Sequence, residues 1–201
     1  MKRILSALSV CFLTTCAHAP HARPISMASA GIICADTLQV VCLIDDDLSV
    51  DQCKAVVVPA VRAINAAVGR ELLRFAGTAP GNPALALSLV RQGTAVVFGD
   101  DLTRHSTENA RVLGLTRPFV QDEAGAINCI TGSLVGLERA LIATRPALAL
   151  SVATHELCHA LGFTHADENI ASIEAPNVNQ PSARPTLTAA DRASLVAVYG
   201  S

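Results

Sequence analysis

The stretch "THELCHALGFTHADE", residues 154–168, holds three of the chain's six histidines within eleven residues. On a helix, His155 and His159 lie one turn apart on the same face, so their imidazoles converge on one cation. Glu156 sits about 100° further round, given roughly 3.6 residues per turn. That keeps it off the ion and within reach of a water bound there. Gly162 then ends the helix in a conformation that other residues adopt only at a cost, and the chain turns back to bring His165 to the same ion. Three histidines leave the fourth position of a tetrahedral zinc open, which is the catalytic arrangement and not the closed structural one. Zinc lowers the pKa of a water in that position towards about 7. The expected chemistry is metal-assisted hydrolysis, with Glu156 as general base taking the water's proton and passing it to the leaving amine. The five fixed positions H-E-x-x-H-x-x-G-x-x-H arise by chance on the order of 10⁻⁵ times per sequence. The competing reading is an Ala/Leu helix that happens to carry histidines. His18, His21 and His105 have no such company and read as solvent-exposed.

The remainder of the chain suits a single globular domain. At 201 residues, 51% apolar and 16% charged, it can fill a core, and with five Phe, one Tyr and no Trp that core must be aliphatic. A net charge of −2 argues against nucleic acid, which needs a basic face. The chain reads as a monomer acting on a protein or peptide.

The first residues read as an export signal, with Lys2 and Arg3 followed by "ILSALSVCFL", too short for a permanent membrane anchor. Two processing sites compete. Ala17-His18-Ala19 resembles an A-x-A site but is followed by Pro20. "LTTC" at residues 13–16 resembles a bacterial lipobox, which would put a lipid anchor on Cys16, and the balance leans towards it. The expected division is a signal over 1–19, a linker over 20–35 and one catalytic domain over 36–201, outside the cytoplasm. Loss of Lys2 and Arg3 leaves 13 basic against 17 acidic residues, near −4. Five cysteines then remain, Cys34, Cys42, Cys53, Cys129 and Cys158. Export permits disulfides, and the odd count leaves one thiol over unless another chain pairs with it. Their spacing is no zinc-knuckle pattern, and the connectivity is open.

Along the chain, residues 37–45 read as a first strand. Ser49 and Gln52 form a capping box before a helix expected to run to Leu73, kinked or restarted at Pro59. "RFAGTAPGNP", residues 74–83, reads as a break, followed by a helical or mixed piece and a buried strand over 94–101. Residues 111–119 read as a short strand that Pro118 confines to a sheet edge. Residues 125–134 read as the last strand before the histidine helix, and "EAPNVNQPSARP", residues 174–185, as a loop. Thr188 and Asp191 form a second capping box for a final helix, with Gly200 at its stop.

"HELCHALGFTH" resembles the long zinc signature of the metzincin metallopeptidases, and residues 113–200 are similar to the short bacterial matrixin branch. In matrixins a methionine turn lies eight residues past the third histidine, and "ASIEAP" puts Ile173 there as an apolar floor beneath the zinc. "LTAADRASLVAVYG" resembles the matrixin C-terminal helix, with Tyr199 as its structural tyrosine and not as a metal ligand. The resemblance implies an α+β zincin fold: a twisted mixed sheet of about five strands, a backing helix, a zinc-binding active-site helix and a C-terminal helix. It implies one catalytic Zn2+ held by His155, His159 and His165, with Glu156 catalytic and Gly162 and Ile173 structural at the site. An extended peptide would lie along the edge strand at Leu115 and Thr116 by strand addition. Calcium sites are not readable. No upstream cysteine matches a latency switch, and the loop after the turn does not match the family's specificity loop. Cys158 stands where the family often has glycine. A buried small residue is the leading reading for it, a disulfide to Cys129 the second, and a thiolate ligand a third that its direction on the helix disfavours. The leading function is thus an extracytoplasmic zinc endopeptidase. A non-catalytic, zinc-stabilised surface or binding module is the alternative, and a zinc hydrolase acting on another amide is a third.

Overall fold

A computed structural model of the chain describes residues 31–107, 111–121, 129–166, 171–175 and 185–200. The expected signal, the lipobox at Cys16, His18 and His21 lie outside the described residues. The elements are β1 (Ile32–Ile33), β2 (Leu38–Ile44), α1 (Val50–Val68), β3 (Leu73–Pro80), α2 (Pro83–Leu89), β4 (Thr94–Asp100), a 3-10 turn (Leu102–His105), β5 (Gly114–Gln121), β6 (Cys129–Glu138), α3 (Arg139–Thr144), α4 (Pro146–Ala160) and α5 (Ala189–Tyr199).

The six strands form one sheet. β3, β2, β4 and β6 run parallel in that order, and β1 pairs in parallel with the start of β6, at Ile32–Cys129 and Ile33–Ile130. Only β5 is antiparallel, paired with β6 from Gly114–Leu137 to Gln121–Cys129. The architecture is therefore α+β with a mostly parallel sheet. Among the described residues it has six strands where about five were expected: Ile32 and Ile33, assigned to the linker, belong to the sheet, and β3 forms where a break was expected. β1 thus lies ahead of the expected boundary at residue 36.

Strand alternation divides the core in two. Val40, Cys42, Ala95, Val97, Val135 and Leu137 face a large cluster shared with α1, α4 and α5, whereas Leu43, Val96 and Leu134 face a smaller one under α2. α1 presents Cys53, Val56, Val57, Ala60, Val61 and Ile64 to the large cluster, a stripe at helical spacing. It begins at the expected Ser49–Gln52 capping box and passes through Pro59 without breaking. The carbonyl that Pro59 leaves without an N–H partner is that of Ala55, an exposed residue, so water can satisfy it.

α1 does not reach Leu73. Gly69 takes φ +82 and caps the Asn65 carbonyl. The Asn65 side chain then accepts from the N–H groups of Leu72 and Leu73, both at 2.9 Å, and donates to the Leu73 carbonyl at 2.7 Å. This side chain starts β3 in place of the expected break. The register slips between Phe75 and Gly77, where Gly77 adopts φ +114, a bulge in an edge strand. β4 and β5 fall near their expected positions, and Pro118 does lie in an edge strand, whereas β6 runs on to Glu138, past the expected end at residue 134, and residues 125–128 of that expectation lie outside the described residues.

Two disulfides, Cys34–Cys129 and Cys42–Cys53, tie β1 to β6 and β2 to α1. Cys158 is the thiol left over, and it is buried. Its second reading, a bond to Cys129, gives way because Cys129 is held by Cys34 across the β1–β6 pairing. No helix among the described residues is long and apolar enough to cross a membrane.

Candidate metal centre

α4 carries the first two histidines in the middle of the molecule. Its sequence "PALALSVATHELCHA" is apolar nearly all round, and Ala149, Val152, Ala153, Leu157, Cys158 and Ala160 are all buried, as expected of a helix packed on every side. The helix ends where Gly162 takes φ +94, and a Cβ there would collide with the Gly31 carbonyl and Ile130. Position 162 therefore requires glycine for both conformation and space. Beyond it the chain reverses and brings His165 back, so that one ligand atom from each of His155, His159 and His165 lies within 4.8 Å of the others.

The hydrogen bonds define the tautomers. His155 Nδ1 lies 2.7 Å from the Ile173 carbonyl and His159 Nδ1 lies 2.7 Å from the Phe163 carbonyl. A carbonyl only accepts, so each Nδ1 carries the proton and each Nε2 presents a lone pair. Those two Nε2 atoms face one another at 3.0 Å. Two lone pairs at that distance repel unless a cation lies between them, and backbone carbonyls holding the far nitrogens are the usual support for metal-binding imidazoles. Burial depresses the pKa of all three histidines, to about 4 for His155 and about 3 for His159, where proximity to His155 adds to the effect. Neutral imidazoles are the form that binds a metal. The donor set therefore fits a divalent ion.

Glu156 is buried, and its Oε1 lies 4.0 Å from His155 Nε2, beside the ligand atoms and not among them. The Thr116 hydroxyl holds it, 2.6 Å from Glu156 Oε2 and 3.0 Å from the Glu156 carbonyl. Burial raises this carboxyl to about 7, and the Thr116 hydrogen bond opposes the rise. Gly114 makes the room, since a Cβ there would run into the Glu156 side chain. Thr116, expected to contact substrate, directs its hydroxyl inward to Glu156, while its neighbour Leu115 is exposed on the edge strand.

Ile173 is buried in the main core, and its carbonyl is the one that orients His155. Asp191 of α5 fixes this turn. It accepts from the Ile173 N–H at 3.0 Å and the Ser172 hydroxyl at 2.6 Å, and caps its own helix by accepting from the Thr188 N–H at 2.7 Å. Tyr199 accepts from the Ile33 N–H at 3.2 Å and donates to the Leu161 carbonyl at the end of α4. Much of the loop expected to follow the turn, residues 176–184, lies outside the described residues.

Three contributors were not legible in the sequence. Gly114 and the reach of Asp191 to the turn follow from packing between distant segments. Glu174 is fully buried beneath the histidines, although "EAPNVNQPSARP" reads only as a loop. Its Oε2 is 3.4 Å from His159 Nε2 and 3.6 Å from His155 Nδ1. Burial first, then the Glu156 and Asp191 carboxylates, push its pKa well above the ordinary range. Burial and the same Glu174 and Asp191 neighbours also raise the Cys158 thiol, which stays protonated. Compared with protein-family models and with curated proteins, the chain shows no match, so the functional reading rests on the chemistry of this centre.

Proposed function

We propose that the chain is an extracytoplasmic zinc endopeptidase of the metzincin kind, matrixin-like over residues 113–200. The observation that carries this reading is the pair of imidazole nitrogens 3.0 Å apart, both without a proton to offer, with His165 and the Glu156 carboxylate beside them. His155, His159 and His165 would hold a zinc ion, which would supply Lewis-acid chemistry at the site. The chain's own residues do the rest. Glu156 accepts a proton at Oε1 and returns it to the departing amine, while Thr116 holds Oε2 still. Among the described residues β5 has one edge without a strand partner, with Leu115 exposed on it, and this edge receives an extended peptide as an added strand. The two disulfides support a location outside the cytoplasm, in keeping with export and with a lipid on Cys16.

The test combines metal analysis by mass spectrometry with cleavage of a peptide library. Wild type should carry about one zinc per chain. Glu156→Gln should keep that zinc and cut about 10²–10⁴-fold more slowly, whereas His159→Ala should lose both. Undiminished cleavage in Glu156→Gln would sink the general-base assignment. Zinc without cleavage in wild type would favour the zinc-stabilised binding module instead.

A further inference from the structure

Glu174 is a buried carboxylate that the peptidase chemistry leaves unused. It is 0% exposed, and no hydrogen-bond donor meets either of its oxygens among the described residues. The adjoining Cys158 thiol is only a weak donor, and it makes no hydrogen bond of acceptable geometry to the carboxyl. No lysine or arginine pairs with Glu174 among the described residues. Burying a carboxylate in such surroundings is unfavourable unless a positive charge lies close by. The positions that surround it are instead the imidazoles. Glu174 Oε2 lies 3.4 Å from His159 Nε2, the nitrogen whose lone pair faces the ion, and 3.6 Å from His155 Nδ1, whose proton is already given to the Ile173 carbonyl.

The backbone holds the residue in that place. The Glu174 N–H donates to the Ser172 hydroxyl at 2.9 Å, and the Glu174 carbonyl accepts from the Ala166 N–H, next to His165, at 2.9 Å. The carboxylate is therefore built into the turn that also positions the first and third histidines.

We infer that Glu174 is the anionic partner of the cation at His155, His159 and His165: a carboxylate under the ligand set that offsets the ion's charge and thereby sets its affinity. The three histidines are neutral donors and contribute no charge, so a carboxylate buried against two of them offsets part of the charge of a dication they bind. Glu174 is a positioning residue in this role and touches no substrate. The inference rests on the reading of the three histidines as zinc ligands.

The experiment measures the zinc dissociation constant of wild type, Glu174→Gln and Glu174→Met by competition with a chromogenic chelator, together with thermal unfolding of each metal-free protein. Both variants should bind zinc about 10- to 100-fold more weakly, the range for loss of a group just outside the ligand set of a metal site. Metal-free Glu174→Met should unfold at or above the wild-type temperature, because an apolar side chain replaces an uncompensated buried polar one. Zinc affinity equal to wild type in both variants overturns the inference. So does a drop in metal-free stability with affinity unchanged, which would make Glu174 a packing residue. Failure of wild type to take up zinc would remove the peptidase reading as well, whereas tight wild-type binding with unaffected variants would remove this inference alone.

Discussion

At the scale of single residues, the position of Glu156 is decided by two neighbours on β5. The missing side chain of Gly114 leaves space for the carboxylate, and the Thr116 hydroxyl holds one of its oxygens at 2.6 Å. Because the hydrogen bond goes to a group that bears charge in the working state, its loss should be worth more than that of an ordinary neutral bond. Thr116→Val, which keeps the shape and removes the donor, should lower kcat about tenfold or more. It should leave zinc content unchanged, since Thr116 contacts no ligand. Steady-state kinetics with metal analysis on the same preparation checks both; an unaltered kcat would mean that Glu156 is held by packing alone.

At the scale of elements, the end of α4 is held from two directions. Gly162 supplies the left-handed turn, and Gly162→Ala should cost more than about 1 kcal/mol, combining a strained conformation with collision against the Gly31 carbonyl and Ile130. Denaturant unfolding of the metal-free protein measures this loss, and weaker zinc binding should accompany it because His165 lies directly downstream. Tyr199 of α5 holds the same helix end through the Leu161 carbonyl. Burial raises its phenol to about 12 in the folded protein, against an ordinary value of 10.0. The folded state thus prefers the neutral phenol more strongly than the unfolded state does. The stability this contributes is full below pH 10 and is lost as pH rises towards 12. Tyr199 is the only tyrosine in the chain, so tyrosinate absorbance reports it alone. The native protein should titrate near 12 and the denatured protein near its ordinary value, while coincident curves would show the phenol to be free of the helix end.

At the scale of the whole molecule, one continuous core joins the sheet to α1, α4 and α5, and the metal centre stands on it. The chain order makes long closures necessary, and the Cys34–Cys129 disulfide spans a sequence separation of 95 residues. Its removal by paired Cys→Ser substitution should cost about 4.7 kcal/mol on the loop-entropy account, measured by equilibrium denaturation. A much smaller loss would mean that the pairing of β1 with β6 already orders this region in the unfolded ensemble.

The parts of this protein legible in sequence are those encoded within a few residues. The Ser49–Gln52 and Thr188–Asp191 capping boxes, the alternating strands and the i, i+4 histidines each arise from contacts inside one element, where side-chain chemistry and helical or strand period suffice. The limit of α1 was not legible, because Gly69 and the Asn65 side chain end the helix by starting β3, and Asn65 reads as an ordinary polar residue on a helix until the strand is in place. The centre divides in the same way. His155, His159, His165 and Glu156 are set by spacing, whereas Gly114, Thr116, Asp191 and Glu174 matter through contacts that span 15 to 42 positions of sequence and form only once the sheet, the turn at Ile173 and the final helix have packed. A buried carboxylate such as Glu174 looks like any loop glutamate in the linear chain. Tertiary packing alone removed it from water and placed it against the histidines, and that desolvation gives its charge a consequence.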